Sequence, residues 1–321
     1  MRQRQENLTA RRYFVRHKTE YTYPSAVTRS HQRGVLAPRD TGSQRVVAHA
    51  VAIEPAPLLL TRHIDIFGNH SQYFEIHFPH TRFSVVKESV IDVEWPPVDV
   101  ESLDRWSLSS AQRVIADNPA LRMERAVFGL PSHHVVPTAE VMDYADTIIA
   151  AELGFGQALG ELTRGIWRDF DYRPGVTSTR TTVDEVLALR AGVCQDFAHV
   201  GIAVLRGLGI PARYVSGYLE TVAPAGREKL EGSDASHAWI SVLAPNGAWI
   251  DIDPTNGQFA DSRYLVTAWG RDFADVSPLR GLVETEAPTS ELSVGVDVIP
   301  MEGESLPEAS RLRLQWADPL T

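Results

Sequence analysis

One cysteine in 321 residues is the chain's plainest scarcity. It excludes an internal disulfide framework and a cysteine-rich zinc cage. No stretch approaches the roughly 20 apolar residues that a membrane-spanning helix needs. The opening residues, MRQRQENLTARR, carry positive charge with no apolar core behind them, so no secretory signal is read and a cytoplasmic protein is expected. Glycine-rich phosphate loops and dinucleotide fingerprints are missing, and no cofactor is expected. The histidines carry no carboxylate–histidine metal spacing: His133 and His134 read as a loop pair, and His63, His70 and His77 fall in strand and turn segments where a seven-residue interval means nothing. No metal site and no internal repeat are read.

What is present is the composition of a globular protein, 43% hydrophobic and 22% charged, with a net charge of −10 that argues against nucleic acid as partner. The charge is uneven. Residues 1–50 carry ten Lys/Arg against three Asp/Glu, which suits docking onto an acidic second domain more than holding an anionic partner, the other reading. Residues 1–100 read as a β domain, because strand-like runs such as YFVRHKTEYTY, RVVAHAVAIEP and RFSVVKESVIDVEW alternate with turn clusters, and Pro96-Pro97 closes it. This points to a sandwich or barrel-like module. Residues 101–321 read as an α+β domain with a core at about 137–281. Helical runs at 137–153 and 156–170 are followed by a helix opened by the capping box Thr182/Glu185 and stopped at Gly192, then by a helix over 194–207. Strands follow in ARYVSGYLE, HAWISVLAP and GAWIDIDP, and a last one in SELSVGVDVIP precedes an acidic tail.

The lone cysteine, Cys194, stands at the head of the 194–207 helix with Gly192 just upstream. Unpaired N–H groups and the helix dipole favour negative charge there. A thiol nucleophile needs a base and the base an orienting partner. His199 is turned about 140° away from Cys194 on the same helix and reads as a packing residue. His237 opens a strand after a polar loop. The turn APNG returns the chain beside it, so that Asp253 or Asp251 can reach the imidazole; alternation puts both carboxylates on one face and does not choose between them.

The blocks GVCQDFAHVGIAVLRGLGIPARYVSGYL, SHAWISV and WIDIDPTNG, in that order, resemble the transglutaminase-like family of papain-fold cysteine enzymes. HKTEYTYPSAVTRSHQ, LAPRD and DIFGNH are similar to the β domain that precedes this core in bacterial members, and WGRDFADVSPLRG to the segment that follows it. The resemblance implies a papain-like core and a Cys194–His237–Asp253 triad, the acid being the one that precedes Pro-Thr. It implies attack on an amide or isopeptide bond of a peptide or protein through a thioester, resolved by water or by an amine acceptor. Hydrolysis is slightly favoured, because no acceptor site is legible; a peptide-binding module without catalysis is the non-enzymatic alternative. The Cys194 backbone N–H is the expected oxyanion donor, with Trp167, Tyr172 and Gln195 as side-chain candidates, the two aromatics suiting packing better; Trp239 reads equally as a flank of the imidazole or groove wall and as packing beneath the strand pair. Tyr264 departs from the family pattern, where a histidine is expected. The polar loop 220–235 leads into His237 and could gate the site as readily as form an ordinary hairpin loop. Substrate and oligomeric state are not legible, although one thiol argues against a disulfide-linked dimer.

Overall fold

A computed structural model describes residues 10–150, 152–221, 234, 236–286, 289–303 and 305–316. The candidate gating loop therefore lies almost wholly outside the described residues, as do Arg2 and Arg4. The first sheet is organised around one strand, β1 (Arg11–Val35), with β2 (Gln44–Glu54), β3 (Leu59–Ile64), β4 (His70–Ile76) and β5 (His80–Val93). Straight, 25 residues would span ~80 Å. Instead the pairing with β5 breaks register between Thr22 and Val27, the segment that contains Pro24, whose missing N–H suits a break in the ladder. Along one edge of β1 run β4 and then β5; along the other run β13 (Arg280–Thr285) and β14 (Glu291–Pro300). The result is one curled sheet, completed at its β2 edge by β15 (Gln315–Trp316). The last expected strand forms as β14, but it pairs with β1 rather than with the second domain, because the chain returns to the first sheet after the core.

After β5 the chain forms the helices α1 (Val100–Leu103), α2 (Leu108–Asp117), α3 (Arg122–Phe128), α4 (Ala139–Ile148), α5 (Phe155–Asp169), α6 (Val183–Leu189) and α7 (Cys194–Gly207), and the short parallel pair β6 (Asp171–Tyr172) and β7 (Ala191–Gly192). The capping box of Thr182 and Glu185 forms as the sequence demands. Gly192 is not the stop: α6 ends three residues earlier, with Arg190 in the left-handed region at φ 49°. Gly192 serves the next helix instead, as described below.

The second sheet is antiparallel, in the order β11 (Gln258–Phe259), β10 (Trp249–Asp253), β9 (Ser236–Leu243), β8 (Ala212–Leu219), β12 (Tyr264–Gly270). A short helix, α8 (Phe273–Val276), follows it. From Phe197 to Leu205 every residue of α7 is buried, as an all-round apolar helix requires. Its partners include Leu162 and Ile166 of α5, Val186 of α6 and Ile240 and Val242 of β9. The two sheets meet where Tyr13, Val15, Ile91, Val296 and Val298 of the first pack on Tyr218 and Leu265 of the second. Basic residues reinforce that seam: Arg11 pairs with Glu220 at 2.6 Å, and the Arg39 guanidinium lies 3.3 Å from the centre of the Trp269 ring. The architecture is the expected α+β, and among the described residues no helix is long and apolar enough to cross a membrane.

Candidate active site

Cys194 occupies the first turn of α7, half-buried. Its backbone N–H and that of Gln195 belong to the group at a helix N-terminus that has no intrahelical acceptor. The turn is held from below by Asp196. That carboxylate accepts from the Val193 N–H at 2.8 Å and the Thr177 hydroxyl at 2.6 Å. A Cβ on Gly192 would stand 2.6 Å from Asp196 Oδ2, so only glycine leaves room for the brace. Burial raises the Asp196 pKa, against both of these donors.

His237, near the start of β9, and Asp253, at the end of β10, lie on neighbouring antiparallel strands. Their side chains meet, His237 Nε2 to Asp253 Oδ2 at 2.8 Å. The imidazole also feels the Cys194 side chain, and since Nε2 is taken by Asp253, Nδ1 is the nitrogen left to face sulfur. Burial pulls the His237 pKa down, but the bonds and charges of Asp253 and Cys194 outweigh it, and the pKa is raised to about 10.

Asp253 is fully buried, and an isolated carboxylate there would cost several kcal/mol. The protein surrounds it with donors. Besides His237, Oδ2 accepts from Asn256 Nδ2 at 2.6 Å and Tyr264 Oη at 2.7 Å, and Oδ1 accepts the Thr255 N–H at 2.8 Å and the Asn256 N–H at 3.3 Å. Burial works to raise its pKa, yet His237, Asn256 and Tyr264 bring it below the ordinary carboxylate value. Asp251 has other work. It accepts from Trp239 Nε1 at 2.7 Å and Ser241 Oγ at 2.5 Å, faces Arg213, and does not reach His237.

The remaining expected residues separate. Tyr172 sits beside the thiol: it is 53% exposed, its ring packs on Phe197, and its hydroxyl feels the charges of Cys194 and Asp196. Gln195 shares the first turn of α7 and is half-buried. Trp167, 58% exposed, lies over Gly257, where an added Cβ would come within 3.0 Å of the indole; it covers the turn that follows Asp253. Trp239 is fully buried and stacks beneath His237, with ring centres 6.1 Å apart. It flanks the imidazole and is no groove wall, because Asp251 pins its indole N–H inside the sheet. His199 packs inside the core, stacked on His134 and accepting the Phe273 N–H at 3.2 Å; burial lowers its pKa to about 3. Sequence reasoning missed Asn256 and noted Tyr264 only as a departure. The TNG that follows Asp253-Pro254 was a legible turn signal, whereas nothing local announces that Tyr264 reaches Asp253.

Comparison with known proteins gives the family and the fold. Residues 13–92 match the bacterial transglutaminase-like N-terminal region, and residues 143–254 match the transglutaminase-like superfamily. An uncharacterized protein of Mycobacterium tuberculosis is 42% identical over 303 residues, which cover 92% of this chain and 95% of that protein. A protein-glutamine gamma-glutamyltransferase of Pseudomonas aeruginosa is 30% identical over 148 residues, 46% of this chain and 20% of that protein. The fold is shared with the crystal structure of a candidate cysteine protease from Cytophaga hutchinsonii, at a TM-score of 0.70 and 20% identity over 94% of each chain.

Proposed function

Because the chain belongs to the transglutaminase-like superfamily, with the bacterial N-terminal region in front of the core, we propose that it is a cysteine enzyme in which Cys194 is the nucleophile, His237 the acid and base, and Asp253 the orienting carboxylate. The observation that carries this reading is the imidazole of His237, hydrogen-bonded to Asp253 at 2.8 Å and near enough to Cys194 for the two side chains to interact in one site. The imidazolium stabilises the thiolate by charge. Sulfur attacks the carbonyl carbon of an amide, and the developing oxyanion is met by the unpaired N–H groups of the α7 first turn. The tetrahedral intermediate collapses as His237 passes its proton to the departing ammonia or amine, leaving a thioester on Cys194. Water, deprotonated by His237, then releases the acid; a primary amine in its place gives a new amide. Asp253 holds the ring through both steps.

Within this class we favour hydrolysis of an amide or isopeptide bond in a peptide or protein, with acyl transfer to an amine as the alternative. Tyr172 and Trp167, exposed beside Cys194 and over the Asp253 turn respectively, offer apolar surface for a peptide. The test is a set of glutaminyl and isopeptide-containing peptides incubated with and without a fluorescent primary amine and read by mass spectrometry. Acid product with ammonia or amine release supports hydrolysis, and amine adducts support transfer. Cys194→Ala should abolish either while melting like the parent; undiminished turnover in that variant overturns the assignment.

A further inference from the structure

The first sheet brings together three metal-binding side chains from two separate strands' worth of sequence. His31 on β1 and Glu75 on β4 are 44 residues distant, but the antiparallel register sets them directly opposite. His77, two residues past Glu75, points to the same face if the chain stays extended, and so does Tyr73, two residues before it. The side chains converge: His31 Nδ1 is 3.5 Å from Glu75 Oε1, His77 Nε2 is 2.8 Å from Glu75 Oε2, and one ligand atom from each of the three lies within 4.8 Å of the others. None of these residues belongs to the elements that carry Cys194, His237 and Asp253.

We propose that His31, Glu75 and His77 form a site for a divalent transition-metal ion such as Zn2+, which clamps β1 to the end of β4. Two imidazoles and a carboxylate are a donor set for Zn2+, Ni2+ or Cu2+; the hard ions Mg2+ and Ca2+ prefer all-oxygen shells. Around a tetrahedral zinc with bonds of about 2.0–2.1 Å, ligand atoms sit roughly 3.3–3.4 Å apart. The observed spread closes to that value by rotation of side chains with room to move, His31 being 41% exposed and His77 34%. Tyr73 supplies the orienting layer that such sites use. Its hydroxyl donates to Glu75 Oε1 at 2.5 Å and lies 3.0 Å from His31 Nδ1, so it holds the carboxylate at the mouth of the site. A fourth position remains for water.

The same four side chains can hydrogen-bond among themselves without an ion, and a titration separates the two states. The protein for it is full-length, tag-free, metal-stripped and carries Cys194→Ala, so that the thiol–imidazole pair takes up no zinc. Calorimetric titration with Zn2+ should give one equivalent. His31→Ala and His77→Ala, each on that background, should weaken binding more than about 100-fold, and Tyr73→Phe roughly 10- to 100-fold. In the absence of metal, His77→Ala should melt with the parent, which keeps its binding loss interpretable should His31→Ala fold poorly. Zinc should raise the melting temperature of the parent and leave that of His77→Ala unmoved. A parent that takes up no zinc, or uptake indifferent to the loss of either imidazole, overturns the site.

Discussion

Tyr264 donates its hydroxyl to Asp253 Oδ2 at 2.7 Å, from a strand on the far side of β8 and β9. Tyr264 opens β12, and its ring packs edge-on against Trp239 of β9, within reach of Asp253. Gln258 of β11 completes the arrangement by donating to the Tyr264 oxygen at 2.8 Å. Tyr264 is fully buried, and burial together with the Asp253 charge raises its pKa far above the ordinary phenol. It is therefore a fixed donor at every accessible pH. The residue that breaks the family pattern still supplies a donor to the site.

Tyr264→Phe removes that donor and little volume. Asp253 keeps His237, Asn256 and two backbone N–H groups, so the fold should survive with a loss of about 1 kcal/mol. With one stabilising bond gone the Asp253 pKa should rise, and the acidic limb of the kcat/KM profile should move to higher pH. Tyr264→His, which restores a donor, should recover part of the shift. A purely structural role for Tyr264 would lower the melting temperature and leave the limb in place.

The raised pKa of His237 sets the alkaline side. Its ordinary value is 6.5 and its value in the folded protein about 10, so the folded state favours the imidazolium. The associated stabilisation is complete below pH 6.5 and is lost as pH rises through about 10. Turnover should accordingly hold from pH 7 to 9 and fall above that. Alkylation of the single thiol, followed by intact mass, tests the action of the imidazole on sulfur without a substrate. His237→Ala should slow it at pH 7 by roughly tenfold or more, and an unchanged rate would show that the imidazole does not act on sulfur.

Asp251 and Asp253 make a paired test, since strand alternation alone does not tell them apart. Asp253→Asn leaves the shape but offers an amide to His237 and should reduce kcat by about 100-fold or more while the protein still folds. Asp251→Asn disturbs the bonds of Trp239 and Ser241 and the charge opposite Arg213. It should cost about 1–3 kcal/mol of stability with a much smaller effect on kcat. Urea unfolding and turnover of the two variants, measured side by side, should give opposite rankings.

These contrasts locate where sequence reasoning succeeded and why it ran out. The α7 helix was legible to its boundaries, because its apolar run is continuous and Leu208-Gly209 ends it. His237 and Asp253 could be paired because only the short turn between β9 and β10 separates them. Gly192 was misread as a helix stop, since its reason is the Asp196 carboxylate, a contact that composition does not announce. The return of β14 to β1 and the approach of Tyr264 to Asp253 are long-range or cross-sheet pairings, fixed by packing rather than by local pattern. Trp239 looked equally suited to groove or core until its indole N–H was seen bound to Asp251.

Lys87 on β5 exposes a cost at the seam between the sheets. It lies opposite His17 of β1, with its ammonium 5.6 Å from the centre of the Tyr218 ring of β8, and burial pulls its pKa from 10.5 to about 7. The sign runs against stability at neutral pH. The unfolded chain holds the Lys87 proton up to about 10.5, while the folded one has begun to release it at 7, so folding is penalised as pH falls between those values, and the penalty is constant below them. Burial, aided by the Lys87 charge, also keeps His17 well below its ordinary pKa, so the neighbouring imidazole adds no positive charge beside Lys87. Lys87→Met fills the same space without charge. It should raise unfolding stability by more than about 1 kcal/mol at pH 7, with the gain narrowing as pH approaches 10. Urea melts at both pH values check this. A variant that is destabilised at pH 7, or whose gain grows with pH, would show that the ammonium is held by the seam rather than merely tolerated in it.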